Sequence, residues 1–92
     1  MSGAPRYVRS NTVLTREVEA ALLLLVPGTS AVVSLSGSGP EIWHLLRSPR
    51  TIDDVVDHLA SRFQVDRESI EPAVRQTVDA LIEARVLHRT AA

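Results

Sequence analysis

Cysteine is absent from the 92 residues, and so is lysine, all ten basic side chains being arginine. Without thiols there is no disulfide framework, no thiolate metal site and no cysteine nucleophile, and a reducing compartment is allowed. The all-arginine basic set fits a GC-biased coding sequence as well as it fits a demand for guanidinium groups. Long hydrophobic runs are also missing. The longest, Ala20 to Val26, is far short of the roughly 20 residues a membrane helix needs, and no basic-then-apolar signal layout opens the chain. The expectation is a soluble, cytoplasmic protein with no membrane partner. A net charge of −1 gives no broad electrostatic footprint for nucleic acid. One small domain of this length buries only about 60–65% of its unfolded surface, which leaves little room for a deep active-site cleft.

What is present is a clear order of elements. Residues 1–6, with Gly3 and Pro5, read as a flexible tail before a single domain over 7–92. Three extended runs follow, Thr12–Val18, Ala20–Val26 and Ser30–Leu35, and Pro27-Gly28-Thr29 is a turn signal between the last two. The consecutive leucines of the middle run predict the central strand, with more alternation in its neighbours. In the third run Ala31, Val33 and Leu35 share one face, and Val32 and Ser34 the other. Helical punctuation then takes over. Ser38 and Glu41 have capping-box spacing, with Pro40 in the first turn and Ile42, Leu45 and Leu46 as the apolar stripe; Ser48-Pro49 ends this helix. Thr51 and Asp54 repeat the box before a stripe of Ile52, Val55, Val56, Leu59, Ala60 and Phe63. A third helix starts at Asp66 or at Ser69. Pro72 favours Ser69, because it would then sit in the first turn. Its apolar face is Ile70, Val74, Val78 and Leu81, with Ile82 at the edge. Strands first and helices afterwards predict an α+β domain, a three-stranded antiparallel sheet (about 12–35) packed on three helices (about 38–87).

Chemistry-bearing constellations do not assemble. His44, His58 and His88 stand singly, without the spacing of a metal site or a triad. Asp53, Asp54 and Asp57 open a helix, where capping and the dipole account for them. Gly37 and Gly39 match no phosphate-binding loop, and Pro40 removes a donor a phosphate would use. No catalytic residue, metal or cofactor is expected. Trp43 lies one residue off its helix's apolar stripe and should cover an edge. Glu71, Arg75, Asp79 and Glu83 recur every four residues as a solvated face, with Glu71 and Arg75 paired. Beside the apolar stripe of the third helix runs a line of small residues, Ala73, Thr77, Ala80 and Ala84. The third strand carries neither proline nor charge, the usual devices that discourage edge pairing. If it lies at the sheet margin, it can accept a peptide as an added strand, or a second copy of the chain.

The run LSGSGPEIWHLL from Leu35 to Leu46, then TIDDVVDHLASRF from Thr51, then VDALIEARVL at the end of the last helix, resembles the PqqD family of peptide-recognition domains over roughly Arg9 to Leu87. That resemblance implies a three-stranded sheet with three helices. It also implies that the leader of a ribosomally made precursor peptide binds as an extra strand between the third strand and the third helix. Carried onto this chain, the contacts would be Ala31, Val32, Val33, Ser34 and Leu35 on one wall. Val74, Thr77, Val78 and Leu81 would form the other, with Arg75 as a polar contact. The chain is most similar to the stand-alone recognition proteins of lasso-peptide biosynthesis, which would make a separate leader peptidase and a cyclase its further partners. Arg85 departs from the family, which often has glycine there. Three helices and a hairpin are equally the parts of a winged-helix DNA-binding regulator, but that reading needs clustered arginine on a recognition helix. Here the second helix carries three aspartates and the third mixes signs.

Overall fold

The computed structural model describes residues 4–90, so that residues 1–3 of the expected tail lie outside the described residues. The elements run β1 (Arg6–Arg9), β2 (Leu14–Val18), β3 (Ala21–Leu25), β4 (Val32–Leu35), α1 (Gly39–Leu45), α2 (Ile52–Phe63), α3 (Arg67–Glu83) and β5 (Leu87–Thr90). Strands β2, β3 and β4 form one antiparallel sheet in that order, while β1 pairs with β5 in a separate two-stranded sheet. The α+β architecture, with three helices and a central leucine-rich strand, is as expected. The second sheet is not, and Arg6, assigned to the tail, begins its first strand. Among the described residues no helix is long and apolar enough to cross a membrane.

The leucines of β3 divide by parity, as a strand's side chains must. Leu22 and Leu24 are buried, whereas Leu23 is half-buried and Leu25 exposed. Register carries this division to both neighbours: Leu24 lies opposite Thr15 and Val33, and Leu25 opposite Leu14 and Val32. The β3–β4 turn is of type II, with Pro27 and Gly28 at its centre; Gly28 adopts φ 78°, and the Thr29 N–H donates to the Val26 carbonyl at 3.3 Å. In β2 the polarity is the reverse of a core strand. Thr15 and Glu17 share the inner face with Leu22 and Leu24, and Leu14 and Val18 point outward.

In α1 the expected capping box is absent. The Ser38 side chain makes no cap hydrogen bond, and Glu41 instead meets His58 and Arg62 of α2 at 3.5 and 3.7 Å. The helix ends at Leu45, ahead of Ser48-Pro49. The second box is complete: the Asp54 N–H donates to Thr51 Oγ1 at 3.0 Å, and the Thr51 N–H donates to the Asp54 carboxylate at 3.1 Å. Val55, Val56 and Leu59 of α2 are buried, but Phe63, placed on the same stripe, is exposed. Helix α3 begins at Arg67 with Asp66 as N-cap, so the Ser69 start is corrected. Ser69 lies in the first turn and donates its hydroxyl to the Asp66 carbonyl at 2.8 Å. Pro72 is thereby inside the helix. Arg67 reaches back to Asp53 and Asp57 at 3.1 and 2.6 Å, tying α3 to the first turns of α2. These are exposed ion pairs, which solvent screens, so they orient the two helices more than they stabilise them.

The two-stranded sheet fastens the chain ends to the helices. Tyr7 and Arg50 exchange backbone hydrogen bonds of 2.8 and 3.0 Å, and the Arg9 N–H donates to the Leu46 carbonyl at 2.8 Å. Strand β1 thus covers the end of α1. Trp43, expected at an edge, is buried, with the Arg9 guanidinium 5.4 Å from its ring centroid. Its indole N–H is buried and finds no acceptor among the described residues.

Arg85, at the position where the resemblance implies glycine, closes α3. Its φ is 64°, the left-handed conformation that closes a helix and favours glycine. The Arg85 N–H donates to the Ile82 carbonyl and the Val86 N–H to that of Leu81, at 2.9 and 3.1 Å, which is a Schellman motif. Arg85→Gly is expected to stabilise the fold by about 0.5–1 kcal/mol, seen as a melting temperature higher by about 2–6 °C; an unchanged or lowered value would contradict the assignment.

A second expectation concerns pH. The Thr51 N–H holds the Asp54 carboxyl below its ordinary pKa. A carboxylate with a depressed folded-state pKa contributes stability above its unfolded value and loses it as pH falls through the folded value. Asp54 is exposed, so solvent screening keeps the effect small, and Asp54→Ala should cost at most about 0.5 kcal/mol at pH 7. The deficit should shrink as melts are repeated below about pH 4; a deficit constant with pH would sink this account.

Candidate functional site at the β4 edge

Strand β4 is flanked by β3 on one side only, so it is an edge of the three-stranded sheet. The hairpin fixes which backbone groups are left over. The Val26 N–H donates to the Ala31 carbonyl at 3.3 Å, and the register continues without a bulge through Leu25↔Val32, Leu24↔Val33, Leu23↔Ser34 and Leu22↔Leu35. Opposed residues in an antiparallel ladder alternate between hydrogen-bonded and non-hydrogen-bonded pairs. Counting from Val26 and Ala31, the backbone groups of Val33 and Leu35 turn towards β3, and those of Val32 and Ser34 turn away from the sheet. Val32 is 55% exposed, and neither charge nor proline interrupts the strand. The N–H and C=O groups of Val32 and Ser34 are therefore placed to pair with a further strand.

The ten residues carried over from the resemblance separate in space. Ala31, Val32 and Ser34 are exposed, and Val33 is half-buried. Leu35 joins Val74, Val78 and Leu81 in the buried core, where the last three have at most 1% of their surface exposed. In the free chain these three side chains are covered by core packing and present almost no exposed surface to a ligand. Thr77 is half-buried and Arg75 exposed. Residues two apart on an α-helix point about 160° from each other, so Arg75 and Thr77 do not line one groove. Arg75 donates to Glu71 at 2.9 Å, the pairing expected from their spacing. It lines a small cleft of about 120 Å³ with Pro5, Tyr7, Ile52 and Asp53. The flank that carries Thr77 and Ala84, both half-buried, is the other side of the helix.

Two further clefts, of about 360 and 260 Å³, lie under β2 and share Arg9, Thr15 and Trp43. Sequence reasoning missed them, because they exist only where β1 closes over α1. Among the described residues no group of three histidine or acidic side chains is arranged to hold a metal ion. The three aspartates of α2 are engaged by Thr51 and Arg67.

Comparison with known proteins agrees with this architecture. The PqqD family, described as coenzyme PQQ synthesis protein D, matches residues 21–87. A PqqA binding protein of Gluconobacter oxydans (strain 621H) is 30% identical over 97 residues, spanning 96% of this chain and 99% of that protein. The structure of TbiB1 in complex with the TbiA(beta) leader peptide superposes with a TM-score of 0.76 at 26% identity, covering 92% of this chain and 99% of TbiB1. The PqqD truncation of Methylobacterium extorquens PqqCD, a stand-alone recognition element for ribosomally synthesised and post-translationally modified peptides, shares the fold. Its TM-score is 0.74 at 22% identity, over 91% of this chain and 89% of that one. From the match over residues 21–87 and the near full-length similarity to the Gluconobacter protein, the chain belongs to the PqqD family.

Proposed function

We propose that this chain is a non-catalytic recognition element that binds the leader of a ribosomally synthesised precursor peptide as a fourth strand on β4. The carrying observation is the outward-facing backbone of Val32 and Ser34 on an edge strand free of charge and proline. The relatives support it, one named for binding PqqA and one solved with a leader peptide bound. Main-chain hydrogen bonds supply direction and much of the affinity, and side chains at alternate leader positions supply selectivity. Inner-facing leader residues would sit against Val33 and the Thr77 flank of α3, with Val74, Val78 and Leu81 holding that helix in place. Arg75, on the opposite flank, is left out of the contact set. A second copy of the chain competes for the same edge, which gives a leader-sensitive route to dimers.

The finer assignment is to lasso-peptide biosynthesis, with the loaded chain passing its precursor to a separate leader peptidase and cyclase in the cytoplasm. Its support is the sequence resemblance to stand-alone lasso-peptide recognition proteins, together with the likeness to TbiB1, which was solved with a leader peptide bound.

Proline scanning of β4 tests the strand addition. Val32→Pro and Ser34→Pro remove only outward N–H groups, so both should fold and bind a synthetic leader from the adjacent precursor gene at least about tenfold more weakly. Val33→Pro removes an N–H that faces β3 and should cost about 1–3 kcal/mol of stability. Binding unchanged in folded Val32→Pro and Ser34→Pro, measured by fluorescence anisotropy, would refute the site.

A further inference from the structure

The outer face of the three-stranded sheet carries an apolar row that runs to the open edge. Leu14, Leu25 and Val32 are direct cross-strand partners, and they are 67%, 37% and 55% exposed. Strand β2 supports the row with side chains of the wrong polarity for a sheet covered only on its inner side: its apolar Leu14 and Val18 face outward while Thr15 and Glu17 face in. Cross-strand neighbours on one face are the unit of sheet stabilisation, and a strand added at β4 places the residue opposite Val32 on the outer face, at the end of this row.

We propose that this row is a specificity determinant for the leader: the leader residue paired with Val32 is apolar, and its side chain extends Leu14–Leu25–Val32 into a row across four strands. The inference rests on the strand-addition reading above and adds a selectivity rule to it. The row ends at the one β4 position that both exposes an apolar side chain and turns its backbone outward. A second copy packed face to face is the poorer occupant. Three strands of about five residues present roughly 250 Å², against about 800 Å² per partner in a stable protein–protein interface.

The test is a charge exchange across the new pair. Val32→Lys keeps the backbone of β4 and places a cation at the row's end. Its affinity for the unmodified synthetic leader should fall roughly three- to tenfold. In a set of leaders each carrying one Asp, a single outer position should weaken wild type and restore binding to Val32→Lys. Circular dichroism melts confirm that both proteins are folded. Unchanged affinity of Val32→Lys, or no Asp position that distinguishes it from wild type, overturns the row as a determinant. Val32→Pro separates the two claims: if proline abolishes binding and lysine does not, strand addition stands without the row, and if neither matters, both fall.

Discussion

The register of β3 against β4 is the constraint on which the rest depends. Two of the four strand leucines of β3, Leu22 and Leu24, must be buried, and that choice of parity decides everything across the ladder. It sends Val33 and Leu35 inward and leaves Val32 and Ser34 outward, in side chain and in backbone bonding alike. A slip of one residue would bury Leu23 and Leu25 and reverse the edge presented to a ligand. The type II turn at Pro27-Gly28 and the Val26–Ala31 hydrogen bond guard against that slip. The proposed binding and the folding therefore depend on the same hairpin, with one set of amides bonded in the ladder and the alternate set facing out from the sheet.

The helices serve this edge indirectly. Val74, Val78 and Leu81 share a buried cluster with the inner residues of β3 and with Leu35, so the strand is backed by packed side chains. Around that cluster the second sheet closes the molecule, bonding Tyr7 to Arg50, Arg9 to Leu46 and Ser10 to Val86. A rigid edge suits a recognition element, because a strand that is already ordered costs less to dock against.

Local signals in the sequence told most of this, and distant ones very little. The Thr51–Asp54 capping box, the Pro-Gly turn, the central leucine strand and the Glu71–Arg75 pair each rest on residues a few positions apart, and each is found. The β1–β5 pairing joins Arg6 to Thr90 through short strands without an apolar run, and no periodicity announces it. Without that pairing the sequence puts Trp43 at an edge, since β1 is what covers α1. Ser38 and Glu41 had the right spacing, but His58 and Arg62 of α2 compete for the carboxylate. The uncharged, proline-free run of β4 was legible, and its place at the sheet margin comes only from the strand pairing. The burial of Val74, Val78 and Leu81 was not, because an apolar helix stripe reads the same whether the core or a peptide covers it.

Amide hydrogen exchange on the labelled chain, followed by NMR with and without the synthetic leader, tests the central claim most directly. In the free protein the Val33 and Leu35 amides should be protected and those of Val32 and Ser34 should exchange quickly. Leader addition should protect Val32 and Ser34 and leave the other two as they were. Saturating leader with no new protection at Val32 and Ser34, or with protection appearing along β2 instead, would contradict strand addition at this edge.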